Sequence, residues 1–194
     1  MAISNGRFGE LSGKIGNLVS YNLKGKNIVR RIGKTNKHPT VAQLTVRQKI
    51  IVVNKFLRAT LGAINAGFEL EVVGTYINQH NAATSYNTKN ATQGEYQAIS
   101  MDYSKVLVSK GNLEPAIKPK ATLTGALLTL TWELSPNMSW SIKNDRTMLL
   151  IYCPELNLAT YFLSGARRSS GRDDIELPAN YIGKELHIYI AFKA

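Results

Sequence analysis

Cysteine is nearly absent from this chain, and so are acidic residues from its first third. Among 194 residues there is one cysteine, Cys153. That leaves no intrachain disulfide and no zinc site built from several cysteines. Lying in the apolar run TMLLIYC, Cys153 reads as a small buried hydrophobe rather than a nucleophile. No apolar run approaches the ~20 residues of a membrane helix, so no membrane insertion is expected. The opening MAISNGRFGELSGKIG has no apolar h-region, and the expectation is synthesis in the cytoplasm without a signal peptide. The final location, a particle or an extracellular fibre among the options, stays open.

Constellations for chemistry are equally sparse. His38, His80 and His187 are far apart, and none has a metal-ligating neighbour two to four residues on. Asp173, Asp174 and Glu176 could hold a cation but read as a solvated acidic cluster. Ser169–Ser170–Gly171 has no nucleophile-elbow context. GRFGELSGKIG carries glycines and a lysine without the spacing of a phosphate-cradling loop. The expectation is a protein that is not an enzyme, with no catalytic residue, metal site, cofactor or small-molecule substrate.

What is present in excess is positive charge, in one place. The formal net charge is +11, and residues 1–60 hold twelve Lys or Arg against the single acid Glu10, so the rest of the chain is neutral. Such asymmetry points to nucleic acid or to an acidic protein surface as partner; a solvated basic face is the plain alternative. With 44% hydrophobic and 19% charged residues the chain is globular in type.

The patterns give an order of elements. Residues 17–23 and 27–32 read as a β-hairpin with Lys24–Gly25–Lys26 at its turn, Asn17, Val19, Tyr21 and Leu23 sharing one face. A lone hairpin is marginal in water and needs a surface to lie against. A helix is expected from Thr40 to about Asn65–Gly67, with Val46, Ile50, Val53, Leu57, Leu61 and Ile64 in one stripe and Arg47, Lys55 and Arg58 on another arc. Residues 75–91 read as a second helix. MDYSKVLVSKG then alternates like a strand, ATLTGALLTLTWEL is β-branched and apolar, and RTMLLIYC, NLATYFLS, RDDIEL and ELHIYIAF follow between turn residues. The fold class expected is α+β: a basic N-terminal hairpin and two helices, then an antiparallel immunoglobulin-like β-sandwich, with domains 1–95 and 96–194.

LTWEL and IELPANYIGKELHIYIAF resemble strands of fibronectin type III or immunoglobulin-like domains, although Tyr181 stands further from the last strand than a tyrosine corner places it. The blocks MAISNGRFGELSGKIGNLVSYNLKGKNIVRR, QLTVRQKIIVVNKFL, NAATSYNTKNA and MDYSKVLVSKGNL resemble an uncharacterised Bacteroidota family of unknown function over nearly the whole length. The resemblance implies no activity. It does imply a further polar strand after ELHIYIAF, so a chain stopping at Ala194 is expected to be short of an edge strand.

Two functions follow as expectations. The first is a structural protein that self-associates into an oligomer or filament, or docks on an acidic protein surface. Its interface would be Leu18, Val19, Tyr21, Leu23, Ile28, Val29 and Ile32, as in a subunit of a phage-type particle or fibre. The alternative is sequence-nonspecific nucleic-acid binding through Lys24, Lys26, Arg30, Arg31, Lys34, Lys37, Arg47, Lys55 and Arg58.

Overall fold

The structure, a computed structural model, describes residues 2–3, 12–34 and 38–194. Among the described residues it is a mixed α/β fold with four helices and several antiparallel sheets, strands predominating. Two compact units divide it, and each is taken by itself: residues up to Thr40 with Gly74–Tyr76, and Val41–Val73 with Ile77–Ala194.

The first unit is one antiparallel sheet. Its strands are β1 (Ala2–Ile3), β2 (Gly13–Ile15), β3 (Leu18–Leu23) and β4 (Lys26–Arg31), in the order β1-β4-β3-β2. β3 and β4 are the hairpin read from the sequence. Lys24 and Gly25 at its tip have φ of 48° and 79°. A two-residue turn that matches the twist of its strands requires both centres to be left-handed. Asn22 braces the turn, its Oδ1 accepting from the Gly25 amide at 2.9 Å.

In the second unit the expected single helix is two, α1 (Val41–Ala59) and α2 (Leu61–Gly67). Thr60 divides them: its hydroxyl donates to the Phe56 carbonyl at 3.0 Å, and its amide donates to the same oxygen at 3.2 Å. A threonine hydroxyl bonding back four residues competes with the regular ladder and bends a helix there. The apolar stripe is also only partly core. Val53, Leu57 and Ile64 are buried, whereas Val46 is 52% exposed and Ile50 and Leu61 are exposed too. The second helix, α3 (Gln79–Asn90), is capped by Asn78, whose side chain accepts from the Asn81 amide at 2.7 Å.

MDYSKVLVSKG is not the strand its alternation suggests. A two-residue pair, β5 (Thr92–Gln93) with β6 (Ser100–Met101), leads into a 3-10 turn at Tyr103–Lys105 and irregular chain beyond. The reason is Asn87, fully buried on α3: its Oδ1 accepts from the Leu107 amide at 2.9 Å and its Nδ2 donates to the Leu107 carbonyl at 3.0 Å. One side chain thus meets the backbone demand that a neighbouring strand would otherwise meet.

ATLTGALLTLTWEL likewise divides, between β7 (Ile117–Thr124) and β8 (Leu127–Glu133), with Gly125 at φ 63° in the turn. After α4 (Trp140–Asn144) come β9 (Arg146–Cys153), β10 (Leu158–Phe162), β11 (Arg172–Glu176) and β12 (His187–Lys193). They form two three-stranded antiparallel sheets, β11-β8-β7 and β10-β9-β12. β9 is covered on both faces. Leu149, Ile151 and Cys153 join Leu128, Leu130, Trp132 and Ile175 in one apolar cluster. Leu150 and Tyr152 point the other way, into a cluster with Val53, Phe56, Leu57, Ile64 and Phe68. Helices, one sheet and a second sheet are therefore three layers with β9 at the centre, as its unbroken apolar run requires.

Candidate interaction site

The two-residue period of β3 and β4 settles what the basic hairpin can present. Cross-strand pairs Lys14↔Val19, Val19↔Arg30, Tyr21↔Ile28 and Leu23↔Lys26 lie on one face; Ile15↔Leu18, Leu18↔Arg31 and Ser20↔Val29 lie on the other. The seven apolar residues expected as one interface are thus not brought together. Val19, Tyr21, Leu23 and Ile28 share a face, with Ile28 only 5% exposed, while Leu18 and Val29 are on the opposite face. Ile32 follows β4, its amide donating to the Asn17 carbonyl at 2.7 Å. One exposed apolar pair of this sheet includes a residue that the sequence pattern did not single out: Ile15 is 68% exposed beside Leu18 at 43%.

The cations divide in the same way. Lys14, Lys26 and Arg30 flank Tyr21 on its own face, and Arg31 is on the other. The Arg30 guanidinium is 5.9 Å from the Tyr21 ring centre, and the Lys26 ammonium 4.5 Å from that of Tyr76. Lys24 donates from Nζ to the Thr75 carbonyl. Lys34 is exposed, and Lys37 lies outside the described residues. Arg47, Lys55 and Arg58 are exposed on α1 in the second unit.

The acidic cluster has structural work. Asp173 Oδ2 accepts from Thr147 Oγ1 at 2.5 Å and from the Ala166 amide at 2.9 Å. Asp174 accepts from Arg172 Nε at 2.8 Å and from Thr129 Oγ1 at 2.6 Å, and the Arg172 contact is the main cause holding its carboxyl below the usual range. His187 stacks on Tyr103 at 4.1 Å, and His80 is part-buried on α3 beside Thr84. Among the described residues no group of three or more His, Cys, Asp or Glu is placed to hold a metal ion. No helix among them is long and apolar enough to cross a membrane.

The second unit offers sheet edges. β12 pairs with β9 along its whole length and, among the described residues, with no other strand. An open groove of about 540 Å³ adjoins its first residues, lined by Met101–Ser104 and by Leu186–Tyr189. A sequence signal for the bare edge exists in HIYIAF itself, six residues without Lys, Arg, Asp, Glu or Pro.

A family model described as a family of unknown function (DUF6266) matches residues 10–194. Comparison with curated proteins and with solved structures gave no match.

Proposed function

The chain belongs to the DUF6266 family of unknown function, and from that premise we propose that it is a non-enzymatic structural protein that self-associates or docks through the sheet of its basic hairpin. The observation that carries this reading is the Ile15–Leu18 pair: two large apolar side chains, adjacent across β2 and β3, exposed beside Arg31 on one face. Exposed apolar area bordered by charge is what a protein partner covers. The partner is a second copy or an acidic protein surface, and the setting a phage-type particle or fibre, the last by analogy of architecture alone.

We read the two facing sheets of the second unit as immunoglobulin-like. β7, β8 and β11 stand in the order of strands A, B and E, and β9, β10 and β12 in that of C, C′ and F. Buried Trp132 sits on β8, the second of these strands. The order of strands supports this reading.

One observation favours a second function. Tyr21 with Lys14, Lys26 and Arg30 on one sheet face is an aromatic platform among cations, suited to the bases and phosphates of a single strand.

Light scattering at low and high salt, with the 260/280 nm absorbance ratio of each peak, separates the two. A large salt-resistant species free of nucleic acid, reduced in mass by Leu18→Asp, supports assembly. A monomer that carries nucleic acid at low salt and sheds it at high salt supports the alternative. A monomer clean under both conditions, whose mass Leu18→Asp leaves unchanged, overturns both.

A further inference from the structure

Four strands bound the two facing sheets, and they are not alike. β7 carries Lys118, Pro119 and Lys120 at a register irregularity, with Lys118 at φ 44°. β11 reads RDDIE. Charge, proline and bulges are the devices that keep an edge from pairing with another chain. Of the edges of the other sheet, β10 (LATYF) has none of them, and β12 (HIYIAFK) has only a lysine at its last position. β12 is the longer, seven residues, and every residue from His187 to Phe192 is half-buried rather than covered.

We propose that the edge of β12 away from β9, which pairs with no other strand among the described residues, pairs antiparallel with β12 of a second copy, about a two-fold axis at Tyr189. The register follows from charge. With Tyr189 opposite itself, Ile188 faces Ile190, His187 faces Ala191, Leu186 faces Phe192, and Glu185 faces Lys193 at both ends. Opposed residues of an antiparallel pair share a face. Leu186, Ile188, Ile190 and Phe192 already pack on the cluster of the facing sheet, so the pairing continues that apolar layer across the axis. Glu185 and Lys193 are exposed, and their intrachain ion pairs are long and at the surface: Glu185 with His187 and Lys193 with Glu69, each 3.8 Å. Both are available for a cross-strand pair. The contact joins the two sheets into one of six strands, β10-β9-β12 continued by its symmetry copy. Being isologous, it closes as a dimer. This inference concerns a different surface from the hairpin and stands without it.

The test uses the full chain. Opposed Cβ atoms in such a pair are about 5 Å apart, within reach of a disulfide after small adjustment. Glu185→Cys and Lys193→Cys, mixed and oxidised, are expected to form a covalent dimer that neither variant forms alone; Cys153 is buried and takes no part. In sedimentation equilibrium, Glu185→Lys is expected to raise the dimer dissociation constant about tenfold, and Glu185→Lys with Lys193→Glu to restore it. Leu18→Asp is expected to leave this dimer intact. A chain that is monomeric at every concentration overturns the proposal. So do single variants that cross-link as readily as the mixture, or a dimer lost with Leu18→Asp and indifferent to the charge swap.

Discussion

A glycine at a close approach is the smallest place where this fold can be tested. A Cβ on Gly67 would lie 2.3 Å from the Val108 carbonyl oxygen, a backbone atom with nowhere to go, whereas one on Gly62 would meet the hydroxyl end of the half-exposed Tyr161 side chain. Gly67→Ala is therefore expected to cost about 1–3 kcal/mol and Gly62→Ala distinctly less, read from urea midpoints. Asn87 is the second such residue. Asn87→Leu removes both bonds to Leu107 and leaves a backbone donor and acceptor without them. A loss of about 2–3 kcal/mol is expected; equal stability would show that water or a shift of the chain replaces the asparagine.

Among elements, α1 makes the sharpest test. Periodicity assigns Val46 and Leu57 to one stripe, but Leu57 is buried and Val46 is 52% exposed. Leu57→Ala is expected to cost about 2–5 kcal/mol and Val46→Ala less than about 0.5 kcal/mol in denaturant unfolding. The same lesson applies to 101–111. Its alternation is real, yet the segment is held by Asn87 on another element, and no local pattern reports that. By contrast the hairpin was legible, because Gly25 between two short runs that alternate apolar and polar residues is a local signal for a local structure.

At the scale of the molecule, burial ties the aromatic cluster to pH. Phe56 packs on Tyr152 at 4.9 Å, and Tyr103 and Tyr189 adjoin them. Burial, the largest cause in each case, raises the phenol pKa of Tyr103, Tyr152 and Tyr189 above the ordinary value. The folded state thus holds these protons more tightly than the unfolded chain. The stability they contribute is full below pH ~10, where unfolded tyrosine titrates, and is lost as pH rises through the folded values. The urea midpoint is expected to fall above pH ~10, and less steeply in Tyr152→Phe.

Composition and short-range pattern were enough for the parts whose physics is local. The surplus of charge in residues 1–60, the hairpin, the second helix, and the strands of RTMLLIYC, NLATYFLS, RDDIEL and ELHIYIAF all follow from residues next to one another in the chain. Packing alone set the rest. Which turns of α1 are covered, why 101–111 is not a strand, and how the hairpin's apolar residues fall on two faces depend on partners far away in sequence. Hydrophobic periodicity says which side of an element is apolar. Only the neighbour that arrives there, or fails to, makes that side a core or a surface.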